Sequence, residues 1–123
     1  MLVTGLTYAD VTVWSENGAS RRSFNLLVDT GSVFTWIDKQ ALQELGIVPK
    51  SKGKKFRTIE GREIFRDVGE AALEINGERA TRIVVFAEKG DGAVLGVDSL
   101  EGLGFEVDPT TKTLKKTEAF AAY

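Results

Sequence analysis

The chain has 123 residues, of which 42% are hydrophobic and 28% are charged, and its formal net charge is −2. This length and balance indicate one globular domain, and the small net charge gives no sign of a nucleic-acid-binding surface. Because the sequence contains neither His nor Cys, Ser-His-Asp catalysis, Cys-His catalysis and histidine-based zinc sites are excluded within this chain, and acid–base chemistry is left to Asp, Glu, Lys or Tyr.

The first half of the chain predicts strands joined by tight turns, with one short helix. Strands are expected where β-branched, aromatic and apolar residues concentrate, at 6–14, 21–28 and 33–37. Asn17-Gly18 lies between the first two strands and is a hairpin signal. A helix is expected from a cap at Asp38 to Leu45, with Gly46 just beyond it. The basic run 50–55 is interpreted as a solvated loop.

The second half predicts further hairpins and a second short helix. Expected strands are 56–59, 62–68, 71–75, 80–86, 105–107 and 113–115. Glu60-Gly61 and Asn76-Gly77 separate consecutive pairs of these strands and indicate tight turns. The second helix is expected to begin at Asp98, with Asp98 and Glu101 forming a capping box. With about eight short strands and no strand–helix alternation, the chain is predicted to be an all-β domain, closed or sandwiched.

The segment with recognisable site chemistry is an apolar strand that ends in Asp29-Thr30-Gly31-Ser32. Gly31 lets the backbone turn sharply and approach a ligand, and the hydroxyls of Thr30 and Ser32 can hydrogen-bond around the carboxylate of Asp29. Alone, these four residues are more typical of an ordinary strand-to-turn junction. The phosphate-binding hairpin of actin and sugar kinases uses a similar turn, but 123 residues cannot supply the two large subdomains of those folds.

The order of features along the chain resembles that of the retropepsin-like (retroviral-type) aspartic proteases. In that family a hydrophobic strand leads into Asp-Thr-Gly-Ser/Ala, a flap hairpin with a glycine tip follows, and a hydrophobic-hydrophobic-Gly motif precedes a short helix. The matching segments are Leu26-Leu27-Val28-Asp29-Thr30-Gly31-Ser32, then Ile59-Glu60-Gly61-Arg62, then Val94-Leu95-Gly96. The resemblance spans about residues 6–107 and implies a closed retropepsin-like β-barrel, the acid protease fold, with one or two short helices.

The resemblance also implies a role for each matched residue. Asp29 would be the catalytic carboxylate, Thr30 would hydrogen-bond across a two-fold axis, Gly31 would keep the backbone close to the substrate, and Ser32 would contact the Asp29 carboxylate. The flap residues would be Ile59, Glu60 and Gly61. Val94 and Leu95 would pack beneath the active-site loop, and Gly96 would leave room for it. No cofactor and no metal are implied. The aromatic residues Trp14, Phe24, Phe34, Trp36 and Phe86 are expected in the core.

Aspartic proteases need two carboxylates, and the sequence has one matching loop. Asp91 precedes Gly92 in a polar link, and Asp98 is followed by Ser99 and Leu100, so neither repeats the Asp-Thr-Gly pattern. The resemblance therefore implies a homodimer in which an Asp29/Asp29 dyad hydrolyses polypeptides. One alternative is a catalytically inactive binding or dimerisation module with the same fold. Another is an unrelated small β-barrel binding domain, which would be monomeric with Asp29 in an exposed turn.

Domain organisation and location are expected to be simple. Residues 1–123 are interpreted as one protease domain, with a hairpin extension over about 108–123. Because of this extension, the resemblance does not predict how the chain termini contribute to the dimer interface. Residues 1–13 show neither a basic segment followed by an apolar stretch nor a membrane span. We therefore expect no signal peptide, no membrane partner, no nucleic-acid partner and, by default, a cytoplasmic protein.

Overall fold

The computed structural model describes residues 5–118, and strands dominate this part of the chain. Its strands are β1 Tyr8–Trp14, β2 Arg21–Val28, β3 Thr35–Asp38, β4 Ser51–Arg57, β5 Glu63–Ile75, β6 Glu78–Ala87, β7 Val94–Leu95, β8 Phe105–Val107 and β9 Leu114–Lys116. Its helices are α1 Lys39–Glu44, between β3 and β4, and α2 Val97–Gly102, between β7 and β8. The prediction of an all-β fold with two short helices is confirmed.

Seven of these strands form one sheet that closes on itself. The strand order is β1-β2-β7-β3-β6-β5-β4, and β1 also pairs with β5 through Thr12 opposite Glu74 and Val13 opposite Leu73. Six strands therefore make a ring, and β4 extends from β5 outside it. β8 and β9 form a separate hairpin. The ring-like sheet agrees with the retropepsin-like fold that the resemblance implies.

The core fills the space that the sheet and the two helices enclose. Fully buried side chains come from several strands, among them Val11, Ile37, Leu73 and Phe86. β1 shows the alternation of a strand with one buried face, since Ala9, Val11 and Val13 are buried while Tyr8 and Asp10 are exposed. Leu42 of α1 and Leu100 of α2 close the core from outside the sheet.

Local signals placed several of the predicted features correctly. Asn76-Gly77 connects β5 to β6, with Ile75 paired to Glu78, and both turn residues have positive φ (49° and 85°) as a type I′ hairpin requires. Helix α1 is capped as predicted, because the Ala41 amide donates to the Asp38 carboxylate at 3.0 Å. The predicted hairpin after residue 105 is also present as β8 and β9, whereas residues 119–123 of the predicted extension lie outside the described residues.

The prediction of a solvated loop over residues 50–55 is wrong, because most of this run belongs to strand β4. Pairing with β5 overrides the weak strand preference of its lysines, and a register shift between Ser51 and Lys54 lies where Gly53 adopts a positive φ of 63°. The two strands predicted over 62–68 and 71–75 are one continuous strand, β5. Gly69 does not interrupt that strand; a Cβ there would lie 3.1 Å from the Phe86 ring.

The predicted capping box at Asp98 is also wrong. Helix α2 begins at Val97, Gly96 occupies the N-cap position, and no side chain caps the helix. Asp98 instead accepts a hydrogen bond of 2.7 Å from the guanidinium of Arg82 on β6. Gly102 makes room for that guanidinium, since a Cβ at Gly102 would lie 2.5 Å from Arg82 Cζ. The Asp98 carboxylate, which the sequence pattern assigned to a helix cap, therefore binds Arg82, a residue distant in the sequence.

Candidate active site

Asp29 leaves the sheet at the junction between β2 and β7. These two strands are parallel, with Val28 opposite Leu95, and the Asp29 amide donates to the Leu95 carbonyl at 3.0 Å. The chain then turns, and the Ser32 amide donates back to the Asp29 carbonyl at 3.1 Å. The apolar strand therefore places the carboxylate at the end of its hydrogen-bonded ladder, where the loop that follows is free to face a ligand.

The Asp29 carboxylate is half-buried and is satisfied by its own loop. Its Oδ1 accepts the Gly31 amide at 2.9 Å, and a Cβ at Gly31 would lie 3.2 Å from the same oxygen. Within residues 5–118, Asp29 forms no ion pair. Ser32 donates its hydroxyl proton to the Phe34 carbonyl at 2.8 Å, so in this single chain it does not make the predicted contact with the carboxylate. Thr30 is exposed.

Helix α2 and strand β7 pack against the Asp29 loop and hydrogen-bond to its backbone. The amides of Val97 and Asp98 donate to the carbonyls of Ser32 and Val33, both at 2.8 Å. A Cβ at Gly96 would lie 2.3 Å from the Phe34 carbonyl oxygen, so only glycine allows this close approach of the two backbones. The structure thus brings Gly96 and Leu95 directly against the Asp29 loop, and Val94 lies beside them, opposite Leu27 and Trp36.

A buried pair of hydroxyls also fixes this junction, and the sequence interpretation missed it. Thr35 Oγ1 accepts the Gly96 amide at 3.0 Å and donates to Ser99 Oγ at 2.7 Å. Both side chains are fully buried. Because the two residues are far apart in the sequence, no local pattern could have revealed their contact. Their hydrogen bonds join β3 to Gly96, the residue between β7 and α2, and to Ser99 within α2.

The segment that was predicted to be a flap lies at the tip of a hairpin formed by β4 and β5, and this hairpin is called the flap below for its position alone. Its tip is closed by the Thr58 amide, which donates to Arg62 O at 2.8 Å, and by the Gly61 amide, which donates to Thr58 O at 2.9 Å. Gly61 has φ of 86°, a conformation that favours glycine. Ile59 is fully exposed at this tip. A hydrogen bond from its own backbone amide lowers the pKa of the exposed Glu60, helped by the Thr58 hydroxyl.

A groove of about 480 Å³ runs between the Asp29 loop and the flap. The residues that line it are Asp29, Gly31, Ser32, Val33, Phe34, Trp36, Phe56, Arg57, Thr58, Ile59, Ile64, Asp91, Gly92 and Val94. Phe56 of the flap meets the Trp36 ring edge-on at 5.1 Å between centroids and the Phe34 ring at 6.5 Å. The prediction of core positions is therefore wrong for Phe34 and Trp36, which are half-buried groove residues, whereas Phe86 is in the core.

The sequence interpretation also overlooked Asp91 as a groove residue. Its two oxygens accept hydrogen bonds from Arg66 Nε at 2.6 Å and Arg66 Nη2 at 2.8 Å, and Oδ2 also accepts the Glu88 amide at 2.8 Å. The bonds from Arg66 are the main reason that the pKa of Asp91 lies below its usual range. The groove therefore contains two carboxylates in different states, one paired with a cation and one not.

Neither a cluster of metal ligands nor a membrane-spanning helix is found in the part of the chain that the structure describes. Across residues 5–118, no three acidic side chains converge in a way that could hold a metal ion. Neither of the helices α1 and α2 has the length or apolar character needed to cross a membrane. The groove offers carboxylate, backbone amide and hydroxyl groups beside an aromatic wall, a set suited to acid–base chemistry.

Comparison with known proteins supports the resemblance to aspartic proteases of the retropepsin type. A family profile described as "gag-polyprotein putative aspartyl protease" matches residues 17–102, which is more than half of the chain. The matched segment includes the Asp29 loop, the flap and the Gly96 motif, and it lies inside the range that carries the resemblance. A search of curated proteins finds no match to the chain. The chain therefore belongs to the gag-polyprotein aspartyl protease family, which is of the retropepsin type.

Proposed function

We propose that this protein is an aspartic endopeptidase whose catalytic pair consists of one Asp29 from each of two copies of the chain. The observation that carries this proposal is the different state of the two carboxylates in the groove. Asp91 is held by Arg66, whereas Asp29 accepts a hydrogen bond only from its own loop. Water-mediated peptide cleavage by carboxylates needs two such groups, and within residues 5–118 the groove of one chain contains a single carboxylate that is not paired with a cation.

The dyad would work by sharing one proton. Two carboxylates in contact cannot both ionise easily, so the pair would hold one proton between them. The ionised Asp29 accepts a proton from a water molecule as that water attacks the scissile carbonyl. The protonated Asp29 donates a hydrogen bond to the carbonyl oxygen and later supplies a proton to the leaving amine. The Gly31 amide, 2.9 Å from Asp29 Oδ1, would keep each carboxylate oriented during these transfers.

The surface beside Asp29 is suited to a second copy. Thr30 and Gly31 are exposed at the tip of the loop, and Val33 next to them is 63% exposed. A two-fold axis through this region would bring the two loops face to face, with each Thr30 hydroxyl able to hydrogen-bond to the partner. The flap would close over a polypeptide in the groove and exclude water, with Ile59 as its apolar contact and Gly61 giving the tip its freedom.

Family membership removes one alternative from consideration. A binding domain unrelated to proteases does not fit the family match or the half-buried position of Asp29. The other alternative, an inactive module with a protease-like fold, differs from the proposal in one measurable property. An inactive module would not cleave protein whether or not Asp29 is intact.

The test is digestion of unfolded casein by the wild type, Asp29→Asn and a control, Asp10→Asn. Asp10 is an exposed carboxylate on β1 that accepts a hydrogen bond from Asn25, so its change removes the same charge outside the groove. We expect cleavage by the wild type and the control, and complete loss in Asp29→Asn with unchanged folding. Cleavage by Asp29→Asn, or its absence in the wild type across mildly acidic to neutral pH, would contradict the proposal.

Dimer dependence is tested by mixing. Sedimentation of the wild type should show a dimer at concentrations where casein is cut. An excess of Asp29→Asn should then suppress wild-type activity, because mixed dimers contain one carboxylate. An excess of Asp10→Asn should not. A monomer that cleaves peptides at full rate would refute the shared dyad while leaving the family assignment intact.

A further inference from the structure

The ion pair between Arg66 and Asp91 joins two elements that both border the groove. Arg66 lies on β5, the second arm of the flap hairpin, and Asp91 lies in the link between β6 and β7. Ile64, two residues before Arg66 on β5, lines the groove, so Arg66 shares the groove-facing side of the flap arm. The flap arm thus contacts the β6–β7 link through a guanidinium.

This contact differs from most ion pairs of the chain. The two side chains are only 17% and 14% exposed, whereas most other pairs in the described residues lie in open solvent. The geometry is bidentate, at 2.6 and 2.8 Å, which is the strong and directional form of an arginine–carboxylate contact. Breaking such a pair by removing one partner leaves a partly desolvated charge in the groove wall.

Asp91 also shapes its own loop. Its Oδ2 accepts the Glu88 amide at 2.8 Å, and its amide donates to the Glu88 carbonyl at 3.0 Å. One carboxylate therefore closes the link over residues 88–91 and binds the flap arm at the same time. A shift of the flap arm at Arg66 would pull on this loop, and through Gly92 and Val94 on the groove lining.

We propose that Arg66 and Asp91 form a positioning pair that fastens the flap arm to the β6–β7 link, fixing the width of the groove and neutralising the charge of Asp91 in its wall. The moving part of the flap then lies beyond Arg66, toward the tip at Ile59. The link moves with the flap base as one unit. The effect on substrate choice rests on the proposed protease activity, whereas the mechanical connection does not.

The mechanical part is tested by amide hydrogen exchange on Arg66→Met, Asp91→Asn and the double variant. Either single change should speed exchange by roughly tenfold both at the flap amides of Thr58 and Gly61 and at the loop amides of Glu88 and Asp91. The double variant should be no faster than the singles, because the two residues act as one unit. If only one of the two segments responds, or neither does, the connection is refuted.

The control is the ion pair of Lys50 with Glu70, which also joins β5 to the segment next to β4, at 3.0 Å, but lies outside the groove lining. Lys50→Met and Glu70→Gln should leave exchange at the flap and at the link unchanged. An equal response in these variants would mean that any charge change near β5 loosens the hairpin, and the positioning role of Arg66 would fall.

The chemical part is tested with peptides that differ in one residue near the scissile bond, carrying Glu, Gln or Lys. The wild type, whose groove also contains Asp29 and Arg57, gives the reference preference. Arg66→Met, which leaves Asp91 unpaired, should favour Lys, Asp91→Asn should favour Glu, and the double variant should lose both preferences. KM for the Gln peptide should rise roughly tenfold in either single variant, with kcat within about twofold. Unchanged preference and KM would refute the role in substrate binding.

The two experiments separate the possible failures. If the wild type cleaves no peptide, the proposed protease function is wrong, and the exchange experiment still decides whether the flap and the link are joined. If the wild type cleaves and the exchange pattern is unchanged in Arg66→Met, the protease proposal stands and the positioning pair is refuted.

Discussion

Replacing Gly96 with Ala tests how closely the Asp29 loop packs against β7. A Cβ at this position would lie 2.3 Å from Phe34 O, 2.4 Å from Phe34 C and 2.8 Å from Val33 O. All three are backbone atoms, so no side-chain rotation can relieve the overlap. Gly96 itself has φ of −90° and ψ of 169°, which Ala adopts without strain. The whole penalty is therefore steric.

The size of the effect follows from these contacts. The loop must move by about 1 Å to restore an ordinary van der Waals separation, and overpacking of this kind costs about 1–3 kcal/mol or more. Ala restricts the unfolded chain more than Gly does and so offsets about 0.4–1 kcal/mol. We expect a net loss of about 2 kcal/mol in the free energy of unfolding, and a fall in Tm of roughly 8 °C.

Urea denaturation measures this change, with all variants at the same protein concentration because dimerisation contributes to the apparent stability. The control is Gly92→Ala, because a Cβ added at Gly92 would meet no heavy atom within 4 Å and Gly92 has no positive φ. Its unfolding free energy should stay within about 0.5 kcal/mol of the wild type. If Gly96→Ala is as stable as Gly92→Ala, the close approach of β7 to the loop is not a constraint, and the proposed supporting role of Gly96 is wrong.

Two further predictions concern buried polar contacts. Thr35→Val should lower the free energy of unfolding by about 1–3 kcal/mol in urea denaturation, because it orphans the Gly96 amide and the Ser99 hydroxyl, whereas Thr35→Ser should be milder. For Asp91, the lowered pKa means that Arg66 stabilises the folded state above the ordinary pKa near 4, and this contribution is lost as pH falls through the folded pKa. The stability difference between wild type and Asp91→Asn should therefore shrink between pH 6 and pH 2. A stability difference that stays constant over this pH range would contradict the role of the Arg66–Asp91 ion pair in stabilising the fold.

Local sequence signals predicted the features that depend on neighbouring residues. The Asn76-Gly77 turn needs positive φ at both positions, which these residue types tolerate, and the Asp38 cap acts on an amide three residues away. The strand that ends at Asp29 was predicted because an apolar run and a glycine-containing turn are both visible in the sequence. These predictions succeed because few distant residues take part in them.

Features that depend on tertiary partners could not be predicted in the same way. Asp98 fits a capping box in the sequence, but Arg82 of β6 binds it in the fold. Arg66 and Asp91 carry no mutual pattern in the sequence, although they form a bidentate pair at the groove. Phe34 has the character of a core residue, yet its position after the Asp29 loop places it in the groove wall. In each case the outcome depends on which strands become neighbours in the ring.

The position of β4 outside the ring has a consequence for how copies of this protein meet. In the described part of the chain, β4 pairs with a strand on one side only, and an unpaired strand edge can recruit another β-strand and start aggregation. Lys52, Lys54 and Lys55 are exposed along this strand, and the irregularity at Gly53 distorts it. If the β4 strands of two copies met edge to edge, their lysines would repel each other and the irregularity at Gly53 would disturb the pairing. The same lysines that led to the prediction of a loop thus disfavour the addition of another strand to β4.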